Sequence, residues 1–160
     1  MRTITVELGE KTYNIEIAAG LLDQIGAKAR VLSQAVKAAI ISDSNVDPLY
    51  GERLERSLAA SEFEVTRIVF AAGEQSKNLT VLGQVYDELA RAGLTRSDLI
   101  LTLGGGVPGD LGGFAAATFL RGIDFIQVPT SLLAQIDSSV GGKVAIDLPS
   151  GKNLAGSFYQ

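Results

Sequence analysis

Short apolar runs alternate with helical patterns along most of the chain, and this alternation limits the possible folds more than any other feature. Residues 36–42 and 99–103 are almost continuously hydrophobic, which is typical of strands buried on both faces of a sheet. Segments with the period of an amphipathic helix separate such runs. Strands that alternate with helices in this way predict an α/β fold with a mainly parallel sheet flanked by helices.

The individual elements follow from the same patterns. The first 17 residues alternate apolar and polar side chains on either side of Gly9 and Glu10, which predicts an N-terminal β-hairpin. Further strands are predicted over residues 36–42, 63–70, 99–103 and 125–128, and helices over 21–32, from 47, over 78–92, from about 108 and over 131–137. Leu49, Leu54 and Leu58 are expected on one face of the second helix. From residue 141 onward no period is clear, and no element is predicted there.

The overall composition restricts the class of protein. The 160 residues include 14 lysines and arginines against 18 aspartates and glutamates, a net charge of −4 without a basic cluster, so nucleic acid is not an expected partner. A hydrophobic content of 46% excludes intrinsic disorder, and the length predicts one domain. The sequence has neither a signal-peptide pattern nor an apolar run of about 18 residues, so we expect a cytoplasmic chain with no membrane partner.

The chain contains no histidine and no cysteine. A Ser-His-Asp triad, an imidazole base, a histidine-ligated zinc ion and a thiolate metal site are therefore impossible within these residues. We accordingly predict no metal ligands in this chain.

The segment that follows the strand at 99–103 carries the pattern G-x-G-x-x-G at Gly104, Gly106 and Gly109. It ends a predicted strand and opens a predicted helix, which is the context that gives this pattern its meaning. Glycines let the pyrophosphate of a dinucleotide approach the backbone, and the N–H groups at the start of the helix attract it. The alternative is a tight turn that needs glycine only for its dihedral angles. The functional interpretation predicts a Rossmann-like, dinucleotide-binding sheet.

A Rossmann-like unit also needs an acidic residue at the carboxyl end of a strand, where it binds the ribose. Asp124 has the usual spacing from the first glycine, but it begins its strand and so lies at the wrong end of the sheet. Asp43 follows the strand at 36–42 and is better placed. The alternative for Asp43 is a local Asx turn with Ser44 and Asn45.

Four charged residues in loops have a functional and an ordinary interpretation. Lys143 and Lys152 each follow a glycine, but neither has the rest of a Walker A motif, so a P-loop is excluded. Lysines beside glycine backbone suit a phosphate or polyol ligand. The alternative is that both are ordinary, solvated surface lysines. Glu74 and Lys77 precede a helix, where ordinary capping would explain them equally well.

Five strings of the sequence together resemble the 3-dehydroquinate synthase family of the shikimate pathway. They are ISDSNV (41–46), GEQSKN (73–78), GGGVPGDLGGFAAATFLRG (104–122), FIQVPTSLLAQIDSSVGGKVAID (125–147) and GKNLAGSFYQ (151–160). The strings cover roughly half of the chain in the family's order and spacing. Within them, VPTSLLAQIDSSVGGK is far more specific than the glycine pattern alone.

The resemblance implies that residues 1–160 form an N-terminal α/β domain that binds NAD. In the family a helical C-terminal domain follows, and it carries the metal ligands, a glutamate and two histidines, for zinc or cobalt. The resemblance therefore implies an incomplete protein that lacks synthase activity by itself. The family converts the sugar acid phosphate DAHP to 3-dehydroquinate and phosphate by transient oxidation with NAD, phosphate elimination, re-reduction and aldol closure.

The matching positions imply roles residue by residue. Cofactor contacts are implied for Asp43, Asn45, Glu74, Lys77, Gly105, Gly106, Val107, Asp110, Thr130, Ser131, Lys143 and Lys152. Catalytic or substrate-side roles are implied for Asp137, Lys143, Asn153 and Arg121. Arg121 matches an arginine that reaches the substrate phosphate of a neighbouring subunit, so the resemblance also implies a homodimer.

One position departs from the family pattern. Residue 108 is proline, where the family usually has an aliphatic residue, and proline removes one backbone N–H from the phosphate-facing turn. If that N–H contacts the pyrophosphate, the affinity for NAD should be lowered.

Two other functions stay open. One is that of a related sugar-phosphate cyclase or a metal-dependent polyol dehydrogenase, since both share the glycine loop and the two-domain plan. The string DSSVGGK (137–143) favours the cyclases over the dehydrogenases. The other is that of a non-catalytic module that binds a nucleotide or another protein.

Overall fold

A computed structural model describes residues 1–160, apart from the side chain of Glu10. Its strands are β1 (Arg2–Val6), β2 (Tyr13–Ile17), β3 (Lys37–Asp43), β4 (Glu64–Phe70), β5 (Leu99–Gly104), β6 (Asp124–Pro129), β7 (Lys143–Leu148) and β8 (Gly151–Phe158). Its α-helices are α1 (Ile25–Leu32), α2 (Glu52–Ala59), α3 (Leu79–Arg91) and α4 (Gly106–Thr118). Of the helices that the structure describes, none combines the length and the apolar character needed to cross a bilayer.

Four strands form a parallel sheet with the order β4-β3-β5-β6. The chain passes from β3 outward to β4 through α2, and it then crosses to the other side of β3 to form β5 and β6. The connections after β3 and β5 therefore leave in opposite directions, which opens a crevice at the carboxyl ends of these two strands. The predicted α/β fold with a mainly parallel sheet is confirmed.

Alternate residues of the inner strands pack on opposite faces of the sheet. Ile40 of β3 packs with Leu54 and Leu58 of α2 in one hydrophobic cluster, while Ile41 packs with residues of α3 and α4 in another. All four of these side chains are fully buried, and β5 is buried along its whole length. Because helices cover both faces, the inner strands appear in the sequence as continuous apolar runs.

Two antiparallel hairpins accompany the sheet. The pairing of β1 with β2 confirms the predicted N-terminal hairpin, whereas the pairing of β7 with β8 falls in the segment where no element is predicted. The second hairpin packs on α4 so closely that a Cβ at Gly113 would collide with Val144 Cγ1. Glycines and lysines interrupt the apolar alternation of these strands, so the sequence carries little strand signal there.

The second helix begins with an irregular turn. Residues Asp47–Gly51 form a π-helical turn before α2 starts. The wider turn rotates Leu49 away from the face that Leu54 and Leu58 bury, and Leu49 is 68% exposed. The prediction that Leu49 shares this face is wrong for that reason.

Candidate functional site

On each side of the crevice, hydrogen bonds join the ends of two neighbouring strands and the loops that follow them. After β3, Ser44 donates its N–H to the carbonyl of Phe70, and its hydroxyl accepts a hydrogen bond from the N–H of Ala72. After β6, Thr130 donates its N–H to the carbonyl of Gly104. The loops after β3 and β4 are thus joined on one side, and those after β5 and β6 on the other.

Asp43 ends β3 at the edge of this crevice and is only 7% exposed. Its Oδ1 accepts hydrogen bonds from the N–H groups of Asn45, at 2.9 Å, and Val46, at 3.0 Å. The Asx turn considered for Asp43 is therefore present. Both bonds end on Oδ1, so the fold, in the residues described, leaves Oδ2 for a ligand. The local turn and a ribose-binding role are compatible.

Gly105 and Gly106, at the start of α4, are not required by the fold around them. A Cβ at Gly105 would meet nothing closer than Ser131 Oγ, at 3.4 Å, among the described residues. At Gly106 the corresponding nearest atom is Ser138 Oγ, also at 3.4 Å. Both positions have room for alanine, so their lack of a side chain keeps the N–H groups of the first helical turn open to a ligand.

Gly104 and Pro108 form the inner part of the same loop. Gly104 has a φ of +154°, and a Cβ there would lie 2.5 Å from Pro108 Cγ, so the turn itself requires glycine. Pro108 is buried, and the helical bond from Gly109 N–H to the Gly105 carbonyl, at 3.2 Å, forms just beyond it. The proline ring thus packs against the backbone of the strand end.

This packing leads to a prediction for Pro108→Val. For the NAD⁺ binding that the family resemblance implies, we expect the variant to change the affinity by no more than about twofold. The N–H groups of the residues before position 108 are unaffected, and proline is tolerated in a first helical turn. Calorimetric titration of both chains checks this. A gain of about tenfold or more would contradict it, since it would equal one hydrogen bond to a charged group and would identify the 108 N–H as a missing donor.

Lys77 and Asp110 form a largely buried ion pair beside the loop. Lys77 Nζ donates to Asp110 Oδ2 at 2.5 Å, and the Lys77 side chain is only 4% exposed. The pKa of the Asp110 carboxyl is raised, with burial as the largest cause. The charges of Glu74 and Asp147 add to the rise, and the hydrogen bond and the charge of Lys77 oppose it. Lys77 therefore anchors the loop after β4 to α4.

The same loop contains the cap of α3. Asn78 Oδ1 accepts a hydrogen bond from the N–H of Val81 at 3.0 Å, so the capping interpretation of Glu74 and Lys77 is wrong. Glu74 Oε1 instead lies 3.3 Å from Lys152 Nζ on the second hairpin. Two ion pairs thus connect the loop after β4 to its neighbours: Lys77 pairs with Asp110 on α4, and Glu74 pairs with Lys152 on β8.

The other predicted site residues are placed less directly. Asp137, in the helical turn Ala134–Ser138, and Lys143, at the start of β7, are both exposed. Within the described residues, no ion pair or side-chain hydrogen bond joins either of them to the glycine loop. Val107 packs partly against the hydrophobic cluster under α4.

Arg121 lies away from the crevice. It is exposed in the connection from α4 to the first residue of β6, at the amino end of the sheet, and its φ is +69°. The structure therefore does not bring Arg121 together with the other predicted site residues of the same chain.

Asp147 contacts two of the candidate site residues, although no sequence pattern indicates it. Its carboxylate accepts a hydrogen bond from the N–H of Asn153 at 2.8 Å, and its own N–H donates to the carbonyl of Lys77 at 2.8 Å. The available signal is a single acidic residue in the apolar run of β7, which a solvated strand face explains equally well.

Acidic side chains near the glycine pattern do not form a metal site. In the part of the chain that the structure describes, no group of three or more Asp, Glu, His or Cys side chains is placed to hold a metal ion. These residues do not fit a metal centre, and we assign them no step through a metal.

Comparison with protein families and known sequences gives consistent matches. The family model described as 3-dehydroquinate synthase N-terminal matches residues 67–160. The 3-dehydroquinate synthase of Clostridium acetobutylicum is 55% identical over 160 residues, which are 100% of this chain and 45% of that protein. The chain thus spans less than half the length of this curated relative.

Two solved structures share the fold along nearly the whole chain. A 2-deoxy-scyllo-inosose synthase complexed with carbaglucose-6-phosphate, NAD⁺ and Co²⁺ has a TM-score of 0.90 at 29% identity, over 99% of this chain and 43% of that one. ValA, a 2-epi-5-epi-valiolone synthase from Streptomyces hygroscopicus with NAD⁺ and Zn²⁺ bound, has a TM-score of 0.79 at 30% identity, over 96% and 42%. The chain is similar to less than half of each enzyme.

Proposed function

The chain belongs to the 3-dehydroquinate synthase family, and from this premise we propose that it is the NAD⁺-binding part of a 3-dehydroquinate synthase. The complete protein would convert DAHP to 3-dehydroquinate and phosphate. The proposal is supported by 55% identity to a 3-dehydroquinate synthase along the whole chain. Because the described residues include no metal site, we expect the 160 residues alone to show no synthase activity.

One observation carries the cofactor assignment. Gly105 and Gly106 have room for a Cβ, yet they leave the start of α4 bare at the crevice between β3 and β5. This cradle fits the pyrophosphate of NAD⁺, with the N–H groups of Gly105, Gly106 and Val107 as donors. Asp43 lies at the end of the neighbouring strand β3, and its Oδ2 would accept a hydrogen bond from a ribose hydroxyl of NAD⁺. When bound, NAD⁺ supplies a hydride acceptor, and the protein supplies position and electrostatics.

Other residues are proposed to complete the cofactor site. These are Asn45 beside Asp43, Thr130 and Ser131 after β6, Glu74, Lys77 and Asp110 beside the glycine loop, and Lys143 and Lys152 on the second hairpin. Lys77 would act by holding Asp110 and its own loop in place, since its Nζ is already paired. Lys152 is well exposed and keeps donors for a ligand besides its contact with Glu74.

The substrate side and the partners belong to the same proposal. Asp137, Lys143 and Asn153 would contact the sugar phosphate, with the Lys143 ammonium suited to an anionic group. Arg121 is exposed at the far end of the sheet, which suits a contact with the substrate of a second subunit in a homodimer. We further propose that the complete protein uses zinc or cobalt, which parts of the protein other than these residues would bind, and that it acts in the cytoplasm.

Asp43→Asn tests the cofactor site. The amide keeps an oxygen acceptor for the N–H groups of Asn45 and Val46, but it replaces Oδ2 with a donor. We therefore expect the affinity for NAD⁺ to fall by about tenfold or more, and the free energy of unfolding to fall by about 1–2 kcal/mol, because two hydrogen bonds to a charged oxygen become bonds to a neutral one. Calorimetric titration and urea unfolding measure the two quantities. Asp87→Asn, on the exposed face of α3, is the control with the same change of charge.

Titration of NAD⁺ into the wild-type chain tests whether these 160 residues bind the cofactor by themselves. Saturable one-site binding of NAD⁺ supports the proposal, and the absence of binding would contradict the assignment of a self-sufficient cofactor site. Product analysis with the complete protein separates 3-dehydroquinate synthase from another sugar-phosphate cyclase, which the TM-score of 0.90 with 2-deoxy-scyllo-inosose synthase keeps as the second candidate.

A further inference from the structure

The second hairpin contains an irregularity that displays two of the proposed site residues. Ile146 pairs with Ala155, and Leu148 pairs with Gly151. Asp147 alone therefore lies opposite residues 152–154, and the ladder is interrupted by a bulge. Bulges beside functional sites redirect side chains. Here the bulge contains Lys152 and Asn153 as consecutive residues, and the Lys152 ammonium lies 3.3 Å from Glu74 Oε1 in the loop after β4.

Asp147 holds this bulge from the opposite strand. Its Oδ1 accepts the N–H of Asn153 at 2.8 Å, which gives a partner to a group that the broken ladder leaves unpaired. Asn153 has a φ of +57°, in the left-handed region, which asparagine adopts more readily than other non-glycine residues. The hydrogen bond from its N–H to the carboxylate of Asp147 holds Asn153 in this conformation.

The same residue connects the bulge to the loop after β4. The bulge also frees the N–H of Asp147 from the ladder, and this N–H donates to the carbonyl of Lys77 at 2.8 Å. A second contact, between Lys152 Nζ and Glu74 Oε1 at 3.3 Å, joins the same two segments. Lys77 continues the connection to Asp110 on α4. The position of the bulge is thus fixed relative to the glycine loop.

We propose that Asp147 is a positioning residue of the cofactor site. Its carboxylate stabilises the bulge that places Lys152 and Asn153 at the crevice. Its N–H holds the bulge against the loop after β4, through the hydrogen bond to the carbonyl of Lys77. Asp147 is not itself a ligand of the cofactor. The inference rests on the proposed function, because the value of placing Lys152 is its contact with NAD⁺.

The test compares Asp147→Ala with Asp147→Asn. The alanine variant removes the acceptor, so the Asn153 amide should exchange faster and the affinity for NAD⁺ should fall by about tenfold. The asparagine variant keeps an oxygen at the same place, so both quantities should stay within about twofold of the wild type. Amide exchange by NMR and calorimetric titration are measured on the 160-residue chain, with Asp87→Ala and Asp87→Asn as controls.

Each outcome decides something different. An alanine variant with wild-type affinity would overturn the inference, and so would an asparagine variant as weak as the alanine one, since the charge would then matter and the bond would not. If the alanine variant fails to fold, the asparagine variant still tests the bond through Asn153 exchange. If the wild-type chain binds no NAD⁺, the proposed function fails, while unprotected Asn153 in the wild type would separately refute the positioning contact.

Discussion

Gly106→Ala is expected to abolish most of the affinity for NAD⁺ while leaving the chain folded and at least as stable as the wild type. Nothing among the described residues lies closer than 3.4 Å to the added Cβ, so the protein itself accommodates it. The methyl group would occupy the space through which a phosphate approaches the N–H groups of α4. Each hydrogen bond to a charged group that is lost should lower the affinity by roughly 10- to 100-fold.

The free energy of unfolding of Gly106→Ala should rise, although its affinity for NAD⁺ falls. Replacing glycine by alanine in a helix stabilises it by about 0.5–1 kcal/mol where space allows. Gly83→Ala is the matched control, because Gly83 lies within α3 and a Cβ there would meet nothing within 4 Å. Both variants should unfold at higher urea concentration, but only Gly106→Ala should lose binding. Equal affinity in all three chains would refute the pyrophosphate assignment.

Lys77→Met is expected to lower the free energy of unfolding at neutral pH by about 2–3 kcal/mol, because it leaves the carboxylate of Asp110 buried without its partner. The hydrogen bond and the charge of Lys77 lower the pKa of Asp110, so this pKa should rise further in the variant. A carboxyl whose pKa is higher in the folded chain than in the unfolded chain binds its proton more tightly when folded. The lost stability should therefore return as the pH falls through the raised pKa towards the ordinary value of 3.8.

Urea unfolding at pH 7 and at a lower pH, below the raised pKa of Asp110, measures this effect, since acidification protonates a carboxyl whose pKa is raised. The double variant Lys77→Met with Asp110→Asn is the control: without a buried charge it should recover part of the stability and lose the dependence on pH. A Lys77→Met chain that is equally destabilised at both pH values would show that lost packing, and not the unpaired carboxylate, is the cause.

The sequence predicts the fold well where packing on two faces leaves a clear pattern. The apolar runs of β3 and β5 and the placement of Asp43 at a strand end follow directly from residue order. Leu49 is predicted incorrectly because a π-helical turn changes the phase of the helix by an amount that no local pattern encodes. The β7–β8 hairpin is missed because it is stabilised by packing on α4 rather than by its own strand propensity.

The glycines of residues 104–109 have different roles, which the sequence motif alone does not distinguish. The pattern G-x-G-x-x-G selects Gly104, Gly106 and Gly109 as equivalent, but their surroundings differ. Gly104 is required by the turn, and a Cβ at Gly109 would come within 3.1 Å of Gln127 Oε1. Gly105, which the pattern leaves free, and Gly106 have open space instead. Only the arrangement of neighbouring atoms separates glycines needed by the fold from glycines available to a ligand.

The strand order has a consequence for how the chain acquires its function during folding. Ala38 of β3 pairs with Leu99 of β5, so the crevice is created by strands that are far apart in sequence. During synthesis β3 and β4 can associate early, whereas the crevice does not exist until β5 and the start of α4 have docked. A dinucleotide that recognises only the completed crevice cannot guide the early steps. Under the proposed function, NAD⁺ would therefore act afterwards, by mass action on the finished fold, and would slow unfolding without speeding folding.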